Sequence, residues 1–131
     1  LGVSMLQVKD IMYVGNKMPI VQEKAKMQDI ILEMSKKSFG HVGVKDKNGK
    51  LLGIVSDGDL RRSFKKKFMD LNASQIMTKN PKMINQNDLL IDALGIMNKN
   101  KITCLFVYGK ERKSRVKGIV HLHQILQYVE S

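Results

Sequence analysis

The chain has 131 residues, 43% hydrophobic and 27% charged, a globular composition that excludes disordered, collagen-like and disulfide-framed classes. Its one cysteine, Cys104, excludes an intramolecular disulfide, and its longest apolar runs, four or five residues, are too short for a membrane helix. The formal charge is +11, from 23 Lys and Arg against 12 Asp and Glu, but only four of the basic residues are Arg (Arg61, Arg62, Arg112 and Arg115) and aromatics are 5%. Nucleic-acid readers lean on Arg and on stacking aromatics. The expectation is therefore a Lys-rich solvated surface that favours small anionic ligands, with no nucleic acid and no membrane as partner. The opening residues, Leu1 to Leu6, lack the charged region and longer apolar core of a signal peptide, which points to a cytoplasmic domain.

In chain order the first extended piece is Pro19-Ile20-Val21, where the proline suits an edge or a strand start. Apolar residues at Met27, Ile30, Ile31 and Met34 then make an i, i+3, i+4, i+7 helical stripe. A strand follows at His41-Val42-Gly43-Val44, with turn chemistry at Asp46-Lys47-Asn48-Gly49, a second strand over 51–55 and a helix over 57–64. The second half repeats the order: strand Lys82-Met83-Ile84, a helix on Leu90, Ala93, Leu94 and Met97 with Asn87 and Asp88 as its start signals, strands at 104–107 and 116–120, and a helix over 122–129.

The repetition extends to identities. Ile11-Met12 returns as Ile76-Met77 and Gly53-Ile54-Val55 as Gly118-Ile119-Val120, each 65 residues on. Two homologous halves follow, 1–66 and 73–131, joined by 67–72. The fold class is α/β (α+β): two strand–helix–strand–strand–helix repeats related by a pseudo-twofold. A half this small is marginal alone, so two copies sharing a core, with ligand clefts between them, are expected.

The sharpest local feature is Gly53-Ile54-Val55-Ser56-Asp57-Gly58-Asp59-Leu60. Ser56 falls at a helix N-cap and Asp59 three residues on, which is a capping box with Asp in place of Glu. The same geometry presents free N–H groups to a phosphate and a carboxylate to ribose hydroxyls. Arg61 and Arg62 are either surface charge or a fork for phosphate or a sugar carboxylate; adjacent helix positions point about 100° apart, so one of them reaches a given cleft. His121 and His123 would need a third ligand to hold a metal, and His41 lies in the other half, so no metal is expected. Contacts at a helix start or to an anionic ligand suit them better. No nucleophile–base pair appears, so no catalytic residue is assigned. Asp46-Lys47-Asn48-Gly49 lacks the Glu of a calcium loop and reads as a hairpin turn. Cys104 and the Met stripes read as core.

These residues carry a resemblance. The repeated unit with its Gly-apolar-apolar-Ser-x-x-Asp ending resembles a tandem CBS-domain pair, or Bateman module. The segments Val8-Lys9-Asp10-Ile11-Met12, Met18-Pro19-Ile20-Val21, Ser56-Asp57-Gly58-Asp59-Leu60-Arg61-Arg62, Ile76-Met77-Thr78-Lys79-Asn80-Pro81, Lys101-Ile102-Thr103 and His121-Leu122-His123, in this order, are similar to the C-terminal region of bacterial arabinose-5-phosphate isomerases, the sugar-phosphate isomerase family of the Kdo pathway. The resemblance implies a catalytic sugar isomerase (SIS) domain before Leu1, with Leu1–Leu6 as its tail or a linker, and makes this chain a regulatory fragment. It implies no required cofactor and an effector that is a nucleotide or nucleotide sugar, CMP-Kdo or AMP/ATP. Ser56 and Asp59 would contact its phosphate and ribose. Met18, Pro19, Ile20, Gly40 and His41 would line the cleft, with Thr103 at the position of Gly40. Repeat two departs from the pattern, with His121 in place of Ser56 and Gln124 in place of Asp59, so one stronger site in the first half is expected. A homodimer or homotetramer is also implied, and a ligand-free assembly module is the alternative.

Overall fold

A computed structural model describes residues 5–37, 39–64, 68–113 and 115–129. Leu1 to Ser4 of the supposed linker and the Lys65-Lys66-Lys67 run lie outside the described residues. The elements are α1 (Val8–Ile11), β1 (Ile20–Gln22), α2 (Met27–Lys37), β2 (His41–Lys45), β3 (Leu51–Ser56), α3 (Asp57–Ser63), α4 (Ala73–Ile76), β4 (Thr78–Lys79), β5 (Met83–Asn85), α5 (Leu90–Asn100), β6 (Cys104–Tyr108), β7 (Val116–His121) and α6 (Leu122–Val129). Short 3-10 turns stand at Gly15–Lys17 and Phe68–Asp70. The fold is mixed α and β, with two sheets.

The chain forms two compact units, and they are not cut where the sequence repeats are cut. One unit is Pro19–Pro81; the other takes the chain up to Met18 together with everything from Lys82 onward. The opening segment of each repeat thus sits in the unit built by the rest of the other repeat. Periodicity does not reveal this, because α1 and α4 are four residues each, too short to show a 3.6-residue rhythm.

In the Pro19–Pro81 unit the strand order is β1-β2-β3-β4. β1 runs parallel to β2, which requires the α2 crossover between them, and the remaining neighbours are antiparallel. α2 lays Met27, Ile30 and Met34 on the sheet, where they meet Val42, Val44 and Val55. Asp46 closes the β2–β3 hairpin by accepting from the N–H of Asn48 at 2.9 Å and of Lys50 at 3.0 Å. The other unit orders β5-β6-β7 by the same rules. Its core joins Val8 and Ile11 of α1 to Ile84, Leu90, Leu105 and Ile125. Both hairpins carry a bulge at the same place, between Val44 and Lys45 and between Val107 and Tyr108.

The recurring glycine and Ile-Met motifs explain each other. A Cβ on Gly53 would lie 2.7 Å from both the Thr78 carbonyl oxygen and Met77 Sδ; one on Gly118 would lie 2.8 Å from the Tyr13 carbonyl oxygen and 2.7 Å from Met12 Sδ. Each Gly therefore lets an incoming Ile-Met segment press its backbone onto the second strand of a hairpin, where Thr78 pairs with Ile54 and Tyr13 with Ile119.

One expected helix start is corrected. Asn87 and Asp88 do not cap α5. The N-cap position is Leu89, whose N–H is taken by Asp92 Oδ2 at 3.1 Å. Asp88 instead accepts from the Asn85 N–H at 3.3 Å, in the turn that leaves β5. Polar residues that favour caps also favour turns, and here the turn takes them. Among the described residues no helix is long and apolar enough to cross a membrane.

Candidate functional site

The junction of β3 and α3 gathers the densest polar network. Ser56 is extended, at φ −102 and ψ 169, and ends the strand. Its hydroxyl accepts from the Asp59 N–H at 3.2 Å, while Asp59 Oδ2 accepts from the Ser56 N–H at 2.9 Å and from the Ser56 hydroxyl at 3.1 Å. The capping box is therefore formed. Two further donors reach the same carboxylate. Arg62 Nη2 lies 2.5 Å from Oδ1, one helical turn on. Thr78 Oγ1, from β4, lies 3.2 Å from Oδ1 and 3.3 Å from Oδ2. Asp59 is only 7% exposed, whereas the Arg62 side chain is 71% exposed. The guanidinium folds back over Gly58, where a Cβ would stand 3.2 Å from Nη1. A buried carboxylate is thus held by four donors, with a solvated cation at its mouth.

The other predicted residues of this unit flank the junction to different extents. His41 is the residue paired with Ser56 across β2 and β3. Gly40, at φ 73, turns the chain into β2 with its carbonyl accepting from the Asp57 N–H at 3.3 Å, and the positive φ gives this glycine a backbone reason of its own. Pro19 and Ile20 run along β1, where the Pro19 carbonyl accepts from Gly43 and Ile20 pairs with Gly43. Arg61 is exposed, and the ion pair to Asp59 is made by Arg62.

Met18, Thr103, His121 and His123 belong to the other unit. There the β7–α6 junction repeats the geometry with different chemistry. The His121 N–H donates to Gln124 Oε1 at 3.2 Å, as Ser56 donates to Asp59. The Leu122 N–H donates to the Thr103 carbonyl at 2.7 Å, as Asp57 donates to Gly40. The Gln124 amide NH2 then donates to the Ile11 carbonyl, a bond no carboxylate can make. His121 Nδ1 accepts from the His123 N–H at 3.1 Å, and the two rings stack at 5.0 Å. Met18 is half-buried and its N–H closes the Gly15–Lys17 turn onto the Gly15 carbonyl. Among the described residues no group of three or more His, Cys, Asp and Glu is placed to hold a metal ion. Cys104 is buried in β6, and burial pushes its thiol up from 9.0 to about 12.

Thr78 is the residue of this network that motif reading misses. It stands 19 positions from Asp59, in a two-residue strand with no pattern of its own. The available signal was indirect: Thr78 follows Ile76-Met77, and that motif is the one that docks on a Gly-Ile-Val strand.

The CBS domain profile matches residues 8–66 and 73–131. The chain is 41% identical over 124 residues to arabinose 5-phosphate isomerase KdsD of Francisella tularensis, covering 93% of this chain and 37% of that protein. It spans about two fifths of the length of the curated relatives it matches. In fold it is similar to the CBS domain of the bacterial CNNM/CorC family Mg2+ transporter in complex with ATP, at TM-score 0.81 and 15% identity, covering 98% of this chain and 89% of that one. It is similar also to CBSX2 in complex with AMP, at TM-score 0.78 and 22% identity, covering 95% and 96%.

Proposed function

This chain belongs to the CBS-domain family, as a tandem pair of its repeats, and on that premise we propose that it is the ligand-sensing regulatory part of a larger D-arabinose-5-phosphate isomerase. The β3–α3 junction is the binding site in this reading, for a nucleotide or nucleotide sugar. The observation that carries it is the Asp59 carboxylate, buried yet bordered by the exposed Arg62. A carboxylate accepts both hydroxyls of a ribose, and a guanidinium takes a phosphate or sugar carboxylate as a bidentate partner. CMP-Kdo offers a ribose, a phosphate and a carboxylate together; AMP and ATP offer the first two. The relatives named as arabinose 5-phosphate isomerases support the parent enzyme, and the neighbours solved with ATP and AMP support a nucleotide. The catalytic domain is then a separate SIS domain of the same polypeptide, and the phosphorylated sugars it handles place the protein in the cytoplasm. The Gln124 junction, neutral and engaged with the Ile11 carbonyl, is the weaker or empty counterpart.

A thermal-shift screen of this chain against AMP, ADP, ATP, CMP, CMP-Kdo and arabinose 5-phosphate tests the reading. At 100 times Kd a ligand stabilises by about 2.7 kcal/mol, roughly 10 °C here. A shift with CMP-Kdo alone identifies an end-product sensor, and a shift with adenine nucleotides an energy sensor. In either case Asp59→Asn should abolish the shift. A uniform oligomer indifferent to every compound would instead favour an assembly module, for which the exposed Ile91, Tyr128 and Val129 offer apolar surface.

A further inference from the structure

A carboxylate has about four lone-pair sites. The four donors on Asp59 (the Ser56 N–H, the Ser56 hydroxyl, Arg62 and Thr78) fill them. A vicinal diol brings two more donors, so it enters only by displacement. The Ser56 bonds belong to the cap of α3, and losing them would undo the helix start. Arg62 is 71% exposed, so its guanidinium can swing from Asp59 to the phosphate or carboxylate of the ligand while the diol takes its place on the carboxylate. That leaves the Thr78 hydroxyl, whose single proton is already divided between the two carboxylate oxygens.

The place of Thr78 in the fold gives its displacement a consequence. β4 has two residues, both exposed, paired only as Gly53 with Lys79 and Ile54 with Thr78. Asn80 follows at φ 55 and then Pro81, where the chain leaves this unit and enters the other at Lys82. We propose that Thr78 is a displaceable tether: the ligand's hydroxyls compete with it for Asp59, and its release loosens β4 and reports occupancy at the segment connecting the two units. This rests on Asp59 as a diol-binding carboxylate. Thr78 acts as a positioning residue, through Asp59 and not on the ligand.

Hydrogen exchange of the peptide covering 77–82 tests it, with AMP, ATP, CMP and CMP-Kdo as probes and 2′,3′-dideoxy-AMP as the control lacking the diol. Binding is followed separately by thermal shift and titration. The unaltered chain should exchange several-fold faster in this peptide when saturated with a ribonucleotide and should not respond to the dideoxy compound. Thr78→Val keeps a strand-forming residue but removes the hydroxyl; it should bind the ribonucleotide about three- to tenfold tighter, the factor one net hydrogen bond makes. It should also lose the exchange response. Thr78→Ser should behave as the unaltered chain. Binding without faster exchange, or binding by Thr78→Val that is equal or weaker, overturns the tether and leaves the binding reading standing. Absence of binding by every probe overturns both.

Discussion

At the end of β3, Ser56 starts α3 and Asp59 closes the turn; at the end of β7, His121 and Gln124 hold the same places and close the same turn. The backbone bonds agree pair by pair, down to the carbonyls of Gly40 and Thr103 that receive the first helical N–H. The second contact of the closing side chain differs. Asp59 faces donors, Arg62 and Thr78, while Gln124 turns its amide to an acceptor, the Ile11 carbonyl. A duplicated scaffold thus needs only an oxygen at this position to cap its helix. The other end of the side chain is free to diverge, toward an ion-paired carboxylate in one unit and a neutral structural bond in the other.

The shared scaffold is tested by the largest expected effects. Gly53→Ala and Gly118→Ala each set a Cβ within 3 Å of a backbone carbonyl, which cannot swing aside. Each should cost about 3 kcal/mol by overpacking, and the two losses in chemical denaturation should match. A cost at one glycine alone would break the equivalence of the two docked Ile-Met segments. The divergent chemistry is tested next. Asp59→Ala strips the acceptor from four donors and should lower stability by about 2 kcal/mol, against about 1 kcal/mol for Gln124→Ala. Equal losses in paired melts would mean that Arg62 and Thr78 add no more to the cap than the bond from Gln124 to the Ile11 carbonyl does. Gln124→Glu keeps the cap but aims a carboxylate at the Ile11 carbonyl, which raises the folded-state pKa of the new acid, so a loss of about 1 kcal/mol near pH 7 should fade as pH falls through about 5 and be gone by about pH 4. A pH-independent loss would assign it to packing. The mildest probe is chemical. Cys104 occupies the strand place that His41 holds in the other unit, opposite His121 as His41 is opposite Ser56. With its thiol raised from 9.0 to about 12, labelling near pH 8 should run about a thousandfold slower than in the unfolded chain, because the thiolate is the reactive form. Faster labelling would reveal opening of β6 from β7.

Much of this architecture is written in local pattern. The stripe at Met27, Ile30 and Met34 is the buried face of α2, and Met97 continues the matching stripe of α5. The turn at Asp46-Lys47-Asn48-Gly49 and the cap at Ser56 and Asp59 are set by residues within four positions of each other, so their hydrogen bonds can be drawn from spacing alone. Asp88 misled because the same short polar side chain serves turns and caps equally well, and the backbone N–H it meets, that of Asn85, depends on the path out of β5; Asn87 enters that turn through its own N–H, which donates to Asn85 Oδ1.

What the sequence determined by itself is the repeat, the order of its strands and helices, and the placement of a carboxylate at one junction and an amide at the other, since these depend on period and on neighbours along the chain. Only the tertiary structure decided that α1 and α4 leave their own repeats, that Gly53 and Gly118 exist to receive them, and that Thr78 reaches Asp59 from 19 residues away. Those contacts join short segments whose local signal is too weak to bias them, and they are chosen by the burial and close backbone approach available only when both repeats are present.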